Sequence, residues 1–561
     1  MKKIIYFMMV VGVLITLSSC NEDFLEKKPL DKFSEVDVWN DYNLANSFIL
    51  NIYNEVFREM MYKSYLDIWT DNCVLNSSNN VNLEAIDEFY DAGWGRYSLI
   101  RKCNLAIEKA GASEGLSEAE KGLIVANGKF LRGMVNYNLA FRFGGIMIID
   151  KVLTPEDDMR IPRSSIKETY DFIINDFEDA YTGLPESAET GMLTKGAAQA
   201  MISRVGLQAA AYTGDASYYD KVISASKIVE DMGYTLTSDF YKMFNDYDFA
   251  LDESEIILGI FLHEDNTKFG GTMMQTLVPS NHNKALTGTP LFVESFSGWA
   301  NKWASADLAD AYLVVDEADG KAKHWSETSY YQDFQQNGGY VSKAIYFNRD
   351  NRFDATVVRD STMYFVNLVT TRLGGNLNWF GFKNQYQWSM SLSGYWIRKS
   401  VYEGKKVWNT TNTSHHLPII RYGEVLLNHA EALIRKGIAQ EATALINQTR
   451  TAHGSLPELD GVGINELLDI YKNERRVDLA YENDRYWSLL RWGKAEGKDI
   501  VEELNSPVHG IEISEDGKSF SSFEIDRNNN EKRKFTTKRY LFPVPETERQ
   551  LHGNLDQNPG W

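Results

Sequence analysis

The chain has 561 residues, of which 43% are hydrophobic and 24% are charged, and its formal net charge at pH 7 is -20. This composition is typical of a folded globular protein, and a chain so negative, without a basic stripe, is not expected to bind nucleic acid. A disulfide framework is excluded because only Cys73 and Cys103 follow Cys20, and these two form either one bond or two buried free thiols.

The first twenty residues have the layout of an export signal. Two lysines precede an unbroken apolar run over residues 4–17, which has the length of a signal peptide and is too short to span a membrane. The following Leu-Ser-Ser-Cys resembles the bacterial lipobox, in which the cysteine becomes an acylated N-terminus. We therefore predict a signal peptide over residues 1–19, a lipid anchor on Cys20 and a tether over residues 20–37. Cleavage at a plain signal site is the alternative.

Between residues 38 and 233, apolar side chains recur at intervals of three and four, which is the pattern of amphipathic helices. Glycines and helix-capping residues separate these stripes and indicate short turns. Paired helices with short turns predict a stack of helical hairpins of tetratricopeptide type, although the tetratricopeptide signature is too degenerate to count as a repeat. The predicted helices cover residues 38–57, 94–110, 118–143, 165–181 and 195–212.

The residue composition and the hydrophobic periodicity of the chain change between residues 234 and 416. Glycines, polar residues and aromatics replace the long stripes there, and the apolar run over residues 255–262 reads as a strand. Seven of the thirteen tryptophans fall in this segment, more than its share of the length. We predict a large irregular insertion of mixed α/β structure. Helical patterns resume over residues 418–436, 438–453 and 465–492, within a C-terminal region and tail over residues 417–561.

One stretch matches an enzyme motif without its structural setting. Gly111–Gly115 fits G-x-S-x-G, yet a nucleophile elbow follows a buried strand and here a helix is predicted before it, so a linker is favoured. The charged residues over 474–485 lie at helical spacing with opposite charges beside them, which favours ion pairs and surface solvation over acid–base catalysis.

Metal and cofactor motifs are weak as well. The sequence has no phosphate-binding loop, no C-x-x-C and no H-E-x-x-H. The adjacent His415 and His416 are expected on a surface or loop. Asp526, Asn528 and Asn530 alternate as in a calcium loop, but the glycine and the closing acid of that loop are missing. We predict no metal site and no cofactor.

Several fragments resemble, in order, signatures of the SusD/RagB family. Four of them are RYGEVLLNHAEALIRKG (421–437), ALINQTRTAHG (444–454), NERRVDLAYENDRYWSLLRWGKA (473–495) and YLFPVPETERQLHGNLDQNPGW (540–561). Earlier stretches, CNEDFLEKKP, RKCNLAIEKA, GKFLRGMVNYNLAFRFGG and TKGAAQAMISRVGLQAAAY, agree in the same order. The acidic stretch after Cys20 also looks like the surface-export signal of Bacteroidetes lipoproteins.

The resemblance implies a non-catalytic outer-membrane lipoprotein that faces the cell exterior. Its fold would be mainly α, with four tetratricopeptide-like helix pairs and a variable insertion. It would capture a nutrient, usually a glycan, and sit as a lid on a SusC-like TonB-dependent transporter.

The candidate ligand contacts follow from the chemistry of sugars and from the family. A pyranose ring stacks its apolar face on an aromatic ring while its hydroxyls bind amides and carboxylates, so aromatics interleaved with such residues are candidates. Trp299 and Trp303 share a face if their segment is helical. For any one ring, packing in the core is the favoured interpretation, but as a group two or three are expected to be exposed platforms. The candidates are Trp299, Trp303, Trp325, Tyr330, Trp379, Phe380 and Trp388 in the insertion and, by resemblance to the family, Asn79 and Asn80 in the polar loop after the first helix.

Three functions remain open from the sequence. The first is a glycan-binding lipoprotein partnered with a transporter. The second has the same fold and partner but a peptide or other non-sugar nutrient as its ligand, as the RagB branch of the family suggests. The third is an exported hydrolase.

Overall fold

The structure is a computed structural model, and it describes residues 35–62, 67–77, 79–279, 298–377, 391–404, 408–525 and 532–561. Within these ranges the chain forms 19 α-helices and 12 short strands. The prediction of a mainly α fold is therefore confirmed. The signal sequence and Cys20 lie outside the described residues. None of the helices in the described part of the chain is both long and apolar enough to cross a bilayer.

The helices of the N-terminal region include the longest of the chain. They are α1 (Glu35–Asn40), α2 (Tyr42–Tyr53), α3 (Tyr97–Gly111), α4 (Glu118–Phe143), α5 (Ile166–Gly183), α6 (Lys195–Thr213) and α7 (Ser217–Glu230), and the short α8 (Phe240–Asn245) and α9 (Tyr247–Leu251) follow at the start of the insertion. A π-helical stretch, Asn54–Tyr62, continues directly from α2.

The described part of the insertion holds only short helices, and long helices return after it. The other helices described in the insertion are α10 (Ala306–Ala311), α11 (Ser329–Asn337), α12 (Val341–Ile345) and α13 (Asn351–Thr356). The C-terminal helices are α14 (Tyr422–Arg435), α15 (Ala439–Ala452), α16 (Ile464–Asp478), α17 (Arg485–Ala495), α18 (Glu502–Asn505) and α19 (Glu546–His552).

The strands form six separate antiparallel pairs. The pairs are β1 (Cys73–Leu75) with β3 (Lys302–Ala304), β2 (Ile256–Leu262) with β10 (His415–Arg421), β4 (Val314–Asp316) with β5 (Lys321–Lys323), β6 (Val357–Val358) with β9 (Trp396–Ile397), β7 (Thr362–Tyr364) with β8 (Asn367–Val369), and β11 (His509–Ile513) with β12 (Phe520–Glu524). Two of these pairs, β1–β3 and β2–β10, join segments that are far apart in sequence.

Local capping explains where the long helices begin and end. The side chains of Ser117 and Ser165 cap α4 and α5, and Glu120 and Glu168 complete a capping box in each case. At the end of α6, Gly214 has a φ of 72°, the left-handed conformation that glycine adopts without a steric penalty. These signals lie in the sequence, and the predicted boundaries of the three helices agree with the observed ones to within two residues.

The long helices stack on one another in chain order. Helices α3 to α7 each pack on the next, and α14 packs on α7, so the C-terminal helices continue the stack that the N-terminal region begins. A large hydrophobic core runs through this scaffold and includes Phe130, Phe177, Val205 and Leu426. The stack of helical hairpins agrees with the prediction.

A second hydrophobic core occupies the insertion. It contains Trp303, Trp396 and Tyr312 of the insertion together with Cys73 from β1 and Val477 from α16. The insertion therefore shares its core with segments that lie outside residues 234–416. Cys73 in this core and Cys103 in the scaffold core are both free thiols.

Two predicted helices are partly wrong. Residues 418–421 are the end of β10, because they pair with β2, and α14 begins only at Tyr422. The predicted helix over residues 465–492 is broken into α16 and α17 by a turn in which Tyr481 and Asn483 have φ values of 63° and 62°. Single non-glycine residues in this left-handed region interrupt a right-handed helix.

Candidate functional site

Two tryptophans of the insertion face solvent. The exposed fraction of Trp299 is 61% and that of Trp408 is 40%, more than for any other tryptophan that the structure describes. Trp408 was not among the candidates from the sequence. Its signal is the stretch WNTTNT, in which asparagines and threonines follow the ring.

Hydrogen bonds bring both tryptophans to one short segment, Met273–Thr276. The backbone N–H of Trp299 donates to the carbonyl oxygen of Gln275 (2.6 Å), and that of Asn301 donates to the carbonyl of Thr276 (3.2 Å). The side-chain amide of Gln275 donates to Oδ1 of Asn409 (2.5 Å), the residue after Trp408. Gln275 therefore ties the two exposed tryptophans to one region of the surface.

Strand β1 lies beside the segment that carries Trp299. It pairs with β3, and the pairing continues with the N–H of Asn76 donating to the carbonyl of Asn301 (3.0 Å). The loop that contains Asn79 and Asn80 then packs on the scaffold, where Nδ2 of Asn82 donates to the carbonyl of Ile68 (3.0 Å). Asn79 is half-buried and its Oδ1 accepts from the N–H of Val81 (2.9 Å), whereas Asn80 is exposed.

We call this region the Trp299 surface and define it by Gln275, Trp299, Trp408 and Asn409. It combines two exposed indole rings with amide side chains. Nearby, Nζ of Lys302 donates to Oγ1 of Thr276 (3.0 Å), and burial lowers the pKa of Lys302.

The prediction that Trp303 contacts a ligand is wrong. Its exposed fraction is 1%, and its ring lies 6.2 Å from Trp396 in an edge-to-face arrangement within the insertion core. The helical spacing assumed for Trp299 and Trp303 does not apply because residues 302–304 form strand β3. A sugar ring therefore has no access to Trp303.

Trp325 and Tyr330 lie in a separate aromatic cluster. The indole N–H of Trp325 donates to Oδ1 of Asp310 (2.8 Å), and its ring packs edge-on against Tyr331 (4.9 Å) and Phe520 (5.6 Å). The Tyr330 hydroxyl accepts from the N–H of Glu317, and its ring packs on Phe347. Both side chains are half-buried and support the packing of α11.

Four further predictions lie outside the described residues. Trp379, Phe380 and Trp388 belong to residues 378–390, and the calcium-like pattern at 526–530 belongs to residues 526–531. Within the part of the chain that is described, no group of three or more His, Cys, Asp and Glu side chains is arranged to hold a metal ion.

The charged residues over 474–485 form ion pairs, as predicted, but these are buried and not on the surface. Glu474 pairs with Arg352 (2.5 Å), and Arg475 pairs with Asp484 (2.7 Å). Arg352 of the insertion covers Glu474. Arg475 points instead into the scaffold, where it also bonds Asn428 of α14 (2.7 Å). The expectation of surface solvation is therefore wrong.

His453 stands at the centre of the same network. Its Nδ1 is 2.9 Å from Asp478, and its Nε2 is 3.0 Å from Glu255. Burial alone would lower the pKa of His453, but the two carboxylates outweigh that effect and raise it to about 9. Because both ring nitrogens are bonded to carboxylates, this histidine has no nitrogen left for a substrate.

The other predicted motifs also have structural roles. Ser113 of the G-x-S-x-G match accepts from the N–H of Leu116 (3.1 Å) in the turn after α3, which confirms the linker interpretation. His415 and His416 are buried in β10, where Tyr62 and Tyr402 contact their ring nitrogens, so the expectation of a surface location is wrong. Burial lowers the pKa of His415 to about 4.

Two family models match this chain. Residues 254–561 match the model of the SusD family, and residues 23–207 match a model described as starch-binding, associating with the outer membrane. A SusD-like protein of Bacteroides ovatus is 20% identical over 357 residues, 60% of this chain and 63% of that relative, so the match spans less than two thirds of its length. SusD-like protein P38 of Formosa agariphila is 23% identical over 519 residues, 88% of this chain and 91% of that protein.

Solved structures share the fold. A SusD-like protein of Bacteroides fragilis superposes with a TM-score of 0.76 at 26% identity, covering 95% of this chain and 100% of that one. A structure named as a laminarin-binding SusD-like protein superposes with a TM-score of 0.63 at 18% identity, covering 92% of this chain and 99% of that one. The second likeness concerns the fold alone.

Proposed function

The chain belongs to the SusD family, and from this we propose that it is a non-catalytic cell-surface lipoprotein. In this proposal it binds an oligo- or polysaccharide at the Trp299 surface and passes it to a SusC-like TonB-dependent transporter. The observation that carries the proposal is the pair of exposed tryptophans that Gln275 ties together.

The chemistry of the Trp299 surface suits a sugar better than most other ligands. An exposed indole offers a flat apolar face for the C–H groups of a pyranose, and the exposed amide of Asn409 offers both donors and acceptors for hydroxyls. Two platforms on one surface favour a chain of sugar units over a single ring. One matching family model is that of starch-binding proteins and one structural neighbour is a laminarin-binding protein, which supports a glycan here.

Binding can be tested with residues 21–561 as a soluble protein. Starch, laminarin and a panel of other plant, host and microbial polysaccharides are included in native gels, and affinity for any glycan that retards the protein is measured by calorimetry. We expect Trp299→Ala and Trp408→Ala each to weaken binding about tenfold, which corresponds to about 1.4 kcal/mol. The matched control is Phe89→Ala, because Phe89 is also an exposed aromatic (54%) but lies on the N-terminal scaffold.

Two results would contradict the glycan proposal. One is binding of peptides by a protein that no glycan retards. The other is retardation that both tryptophan substitutions leave unchanged, which would move the site away from the Trp299 surface.

The membrane anchor and the transporter partner rest on sequence and family. We infer acylation of Cys20 from the lipobox, and the family whose model matches residues 23–207 associates with the outer membrane. Cys20→Ala is expected to shift the protein from the outer-membrane fraction to the soluble fraction and to reduce its co-purification with a barrel. A protein that stays in the membrane fraction after this substitution would argue against the lipid anchor.

The absence of catalysis is also part of the proposal. Ser113, the serine of the G-x-S-x-G match, accepts a hydrogen bond within its turn, and both ring nitrogens of His453 are bonded to buried carboxylates. Incubation of the pure protein with the glycan it binds should release no reducing ends. Release above the level of a heat-treated control would favour the hydrolase alternative.

A further inference from the structure

A cavity of about 310 Å³ lies in the helical scaffold. Its walls come from α4, α6 and β10, from the end of the π-helical stretch, and from the turn at residues 481–484. The lower end of the size range for small-ligand sites is about 300 Å³. None of the described residues that line it belongs to the Trp299 surface, so the two sites are separate.

One wall of the cavity is aromatic. Trp69 packs edge-on against Tyr486 (5.3 Å) and Trp487 (6.3 Å), and Trp487 packs on Phe141 with the ring centroids 4.3 Å apart. Trp69, Trp487 and Phe141 are only half-buried, and Asn483 at the rim is exposed, so the cavity opens to solvent. Clustered aromatic faces of this kind attract cations as well as apolar groups.

The opposite side is aliphatic and rich in methionine. Met60, Met134, Met201, Leu417 and Ile419 line it. Methionine side chains adapt their shape to different ligands because they are unbranched and polarisable. The cavity therefore favours a ligand with an apolar body over a fully hydroxylated one.

Most charged groups of the lining are neutralised by the protein itself. Arg204 pairs with Glu424 (2.6 Å) and Arg491 with Glu431 (2.7 Å). The carboxylates of Glu482 and Asp484 are likewise held by arginines of the scaffold, at 2.8 and 2.7 Å. These groups shape the cavity without requiring a charged ligand.

Asp67, unlike these paired charged residues, has one carboxylate oxygen without a hydrogen-bond donor in the described part of the chain. Its exposed fraction is 1%, and its Oδ2 accepts hydrogen bonds from Nδ2 of Asn72 (2.9 Å) and from the N–H of Tyr481 (2.9 Å). Its Oδ1 is buried and accepts no hydrogen bond from the residues that the structure describes. A buried acceptor without a donor costs free energy, so a donor from outside the chain would be stabilised there.

The charges around Asp67 favour a positive donor. Burial raises the pKa of Asp67 to about 6, and the nearby Asp484 raises it further whereas Arg485 lowers it. Arg485 is already bonded to Asp71 by two contacts of 3.1 and 3.0 Å. A cation beside Asp67 would relieve both the burial of its charge and the repulsion from Asp484.

The aromatic wall already holds one cation. The guanidinium of Arg142 lies 4.7 Å from the ring centroid of Phe141. It also lies 5.9 Å from the ring centroid of Trp487, so Arg142 occupies the part of the wall formed by Phe141 and Trp487.

We propose that this cavity binds a small amphipathic cation, an ammonium group on an aromatic or branched apolar body, with the ammonium beside the carboxylate of Asp67. The apolar body packs between the aromatic wall and the methionines. The site is independent of the glycan proposal because it shares no residue with the Trp299 surface.

Three probes of matched shape test the charge requirement. They are 2-phenylethylammonium, the neutral 2-phenylethanol and the anionic 3-phenylpropionate, titrated into residues 21–561 at about pH 7.5, where Asp67 is ionised. We expect the ammonium to bind with a Kd of about 1 mM, as is usual for a fragment of this size, and at least about tenfold more tightly than the other two. Ligand-observed NMR measures the three affinities. Equal affinities, or no binding of the ammonium up to about 10 mM, would overturn the proposal.

Two substitutions test the location. Asp67→Asn keeps one oxygen to accept from Asn72 and Tyr481 and replaces Oδ1, the acceptor without a donor among the described residues, by an amide N–H donor. This substitution should abolish the preference for the ammonium. Met61→Trp fills the cavity from a half-buried position and should block all three probes. Trp299→Ala is the control and should leave ammonium binding unchanged. Ammonium binding that survives both Asp67→Asn and Met61→Trp in folded protein would place the ligand elsewhere and overturn the proposal.

Discussion

Two tryptophans only four residues apart show how strongly the environment of a residue decides its role. Trp299 precedes β3 and exposes 61% of its surface, whereas Trp303 lies within β3 and exposes 1%. Both are equally apolar, so composition alone assigns them the same probability of being buried. The difference arises because β3 runs into the insertion core, where Trp303 and Ala304 are both buried, whereas Trp299 lies before the strand.

The stability of substituted proteins should separate these two residues. Trp303→Ala leaves a cavity in the insertion core and is expected to lower the free energy of unfolding by about 3–5 kcal/mol. Trp299→Ala removes an exposed ring and should change it by less than about 0.5 kcal/mol. Urea denaturation followed by circular dichroism measures both. Similar losses for the two variants would contradict the assigned burial.

His453 makes stability depend on pH in a defined direction. Its pKa is about 9 in the folded protein, above its ordinary value of 6.5. A raised pKa means that the folded state binds the proton more tightly, so the stabilisation is complete below about pH 6.5 and is lost as the pH rises through about 9. Compared with His453→Gln, the wild type should lose on the order of 3 kcal/mol of its advantage between about pH 6 and 10.

Denaturation of the wild type and His453→Gln at matched pH values isolates this effect, because all other titrating groups are common to both. The two curves of unfolding free energy against pH should converge at high pH. Curves that stay parallel would show that His453 does not titrate between its two carboxylates.

At the scale of elements, helix boundaries follow local chemistry wherever the cap is made by neighbouring residues. Helices α4 and α5 begin after Ser117 and Ser165, whose hydroxyls accept from the third helical N–H in each case. By contrast, residues 418–421 carry a helix-like pattern but form strand because β2 lies beside them. Partners distant in sequence override the local preference there.

The caps give a prediction for each helix. Ser117→Ala and Ser165→Ala should each lower the free energy of unfolding by about 1 kcal/mol, because each removes a hydrogen bond to an otherwise unpaired N–H at the helix start. Ser187→Ala is a suitable control, since Ser187 is exposed and lies outside the helices. The shift of the urea midpoint at constant slope measures the effect. A control shift as large as the others would show that the capping bonds add nothing.

At the scale of the whole molecule, buried charges join the two hydrophobic cores. Arg352 of α13 in the insertion has no exposed surface and bonds both Asp350 and Glu474 of α16. Arg421 at the end of β10 bonds Glu255 and Asp478 in the same network. Each charge is compensated by the others, so removal of one leaves its partners buried and unpaired.

Arg352→Met should therefore be severe. The substitution keeps much of the side-chain volume but leaves two carboxylates uncompensated, and it is expected to cost about 3–5 kcal/mol of the free energy of unfolding. Lys221→Met breaks the exposed pair with Glu178 and should cost less than about 1 kcal/mol. Thermal and urea unfolding of the two variants compare them. An Arg352 variant as stable as the Lys221 variant would mean that the network does not hold the cores together.

The fold was accessible from the sequence to a large extent, and the candidate site much less so. The apolar side chains that recur at helical spacing in α3 to α6 predict these helices, because a period of 3.6 residues is a local property of the chain. Of the candidate ligand residues, Trp299 lies on the surface that carries the proposed function, Trp303 does not, and Trp408 was missed. A single exposed ring and a single buried ring have the same local pattern, so no sequence rule separates them.

The amino-acid sequence by itself determined the helical scaffold, its caps and, through the ordered motifs between residues 421 and 561, the family. Only the tertiary structure decided which aromatics lie on one surface, which charges are buried and where the cavity lined by Asp67 and the methionines lies. These features depend on contacts such as Asn76 with Asn301 and Gln275 with Asn409, which join residues more than a hundred positions apart. Burial is a property of such contacts between distant segments, and local composition does not encode it.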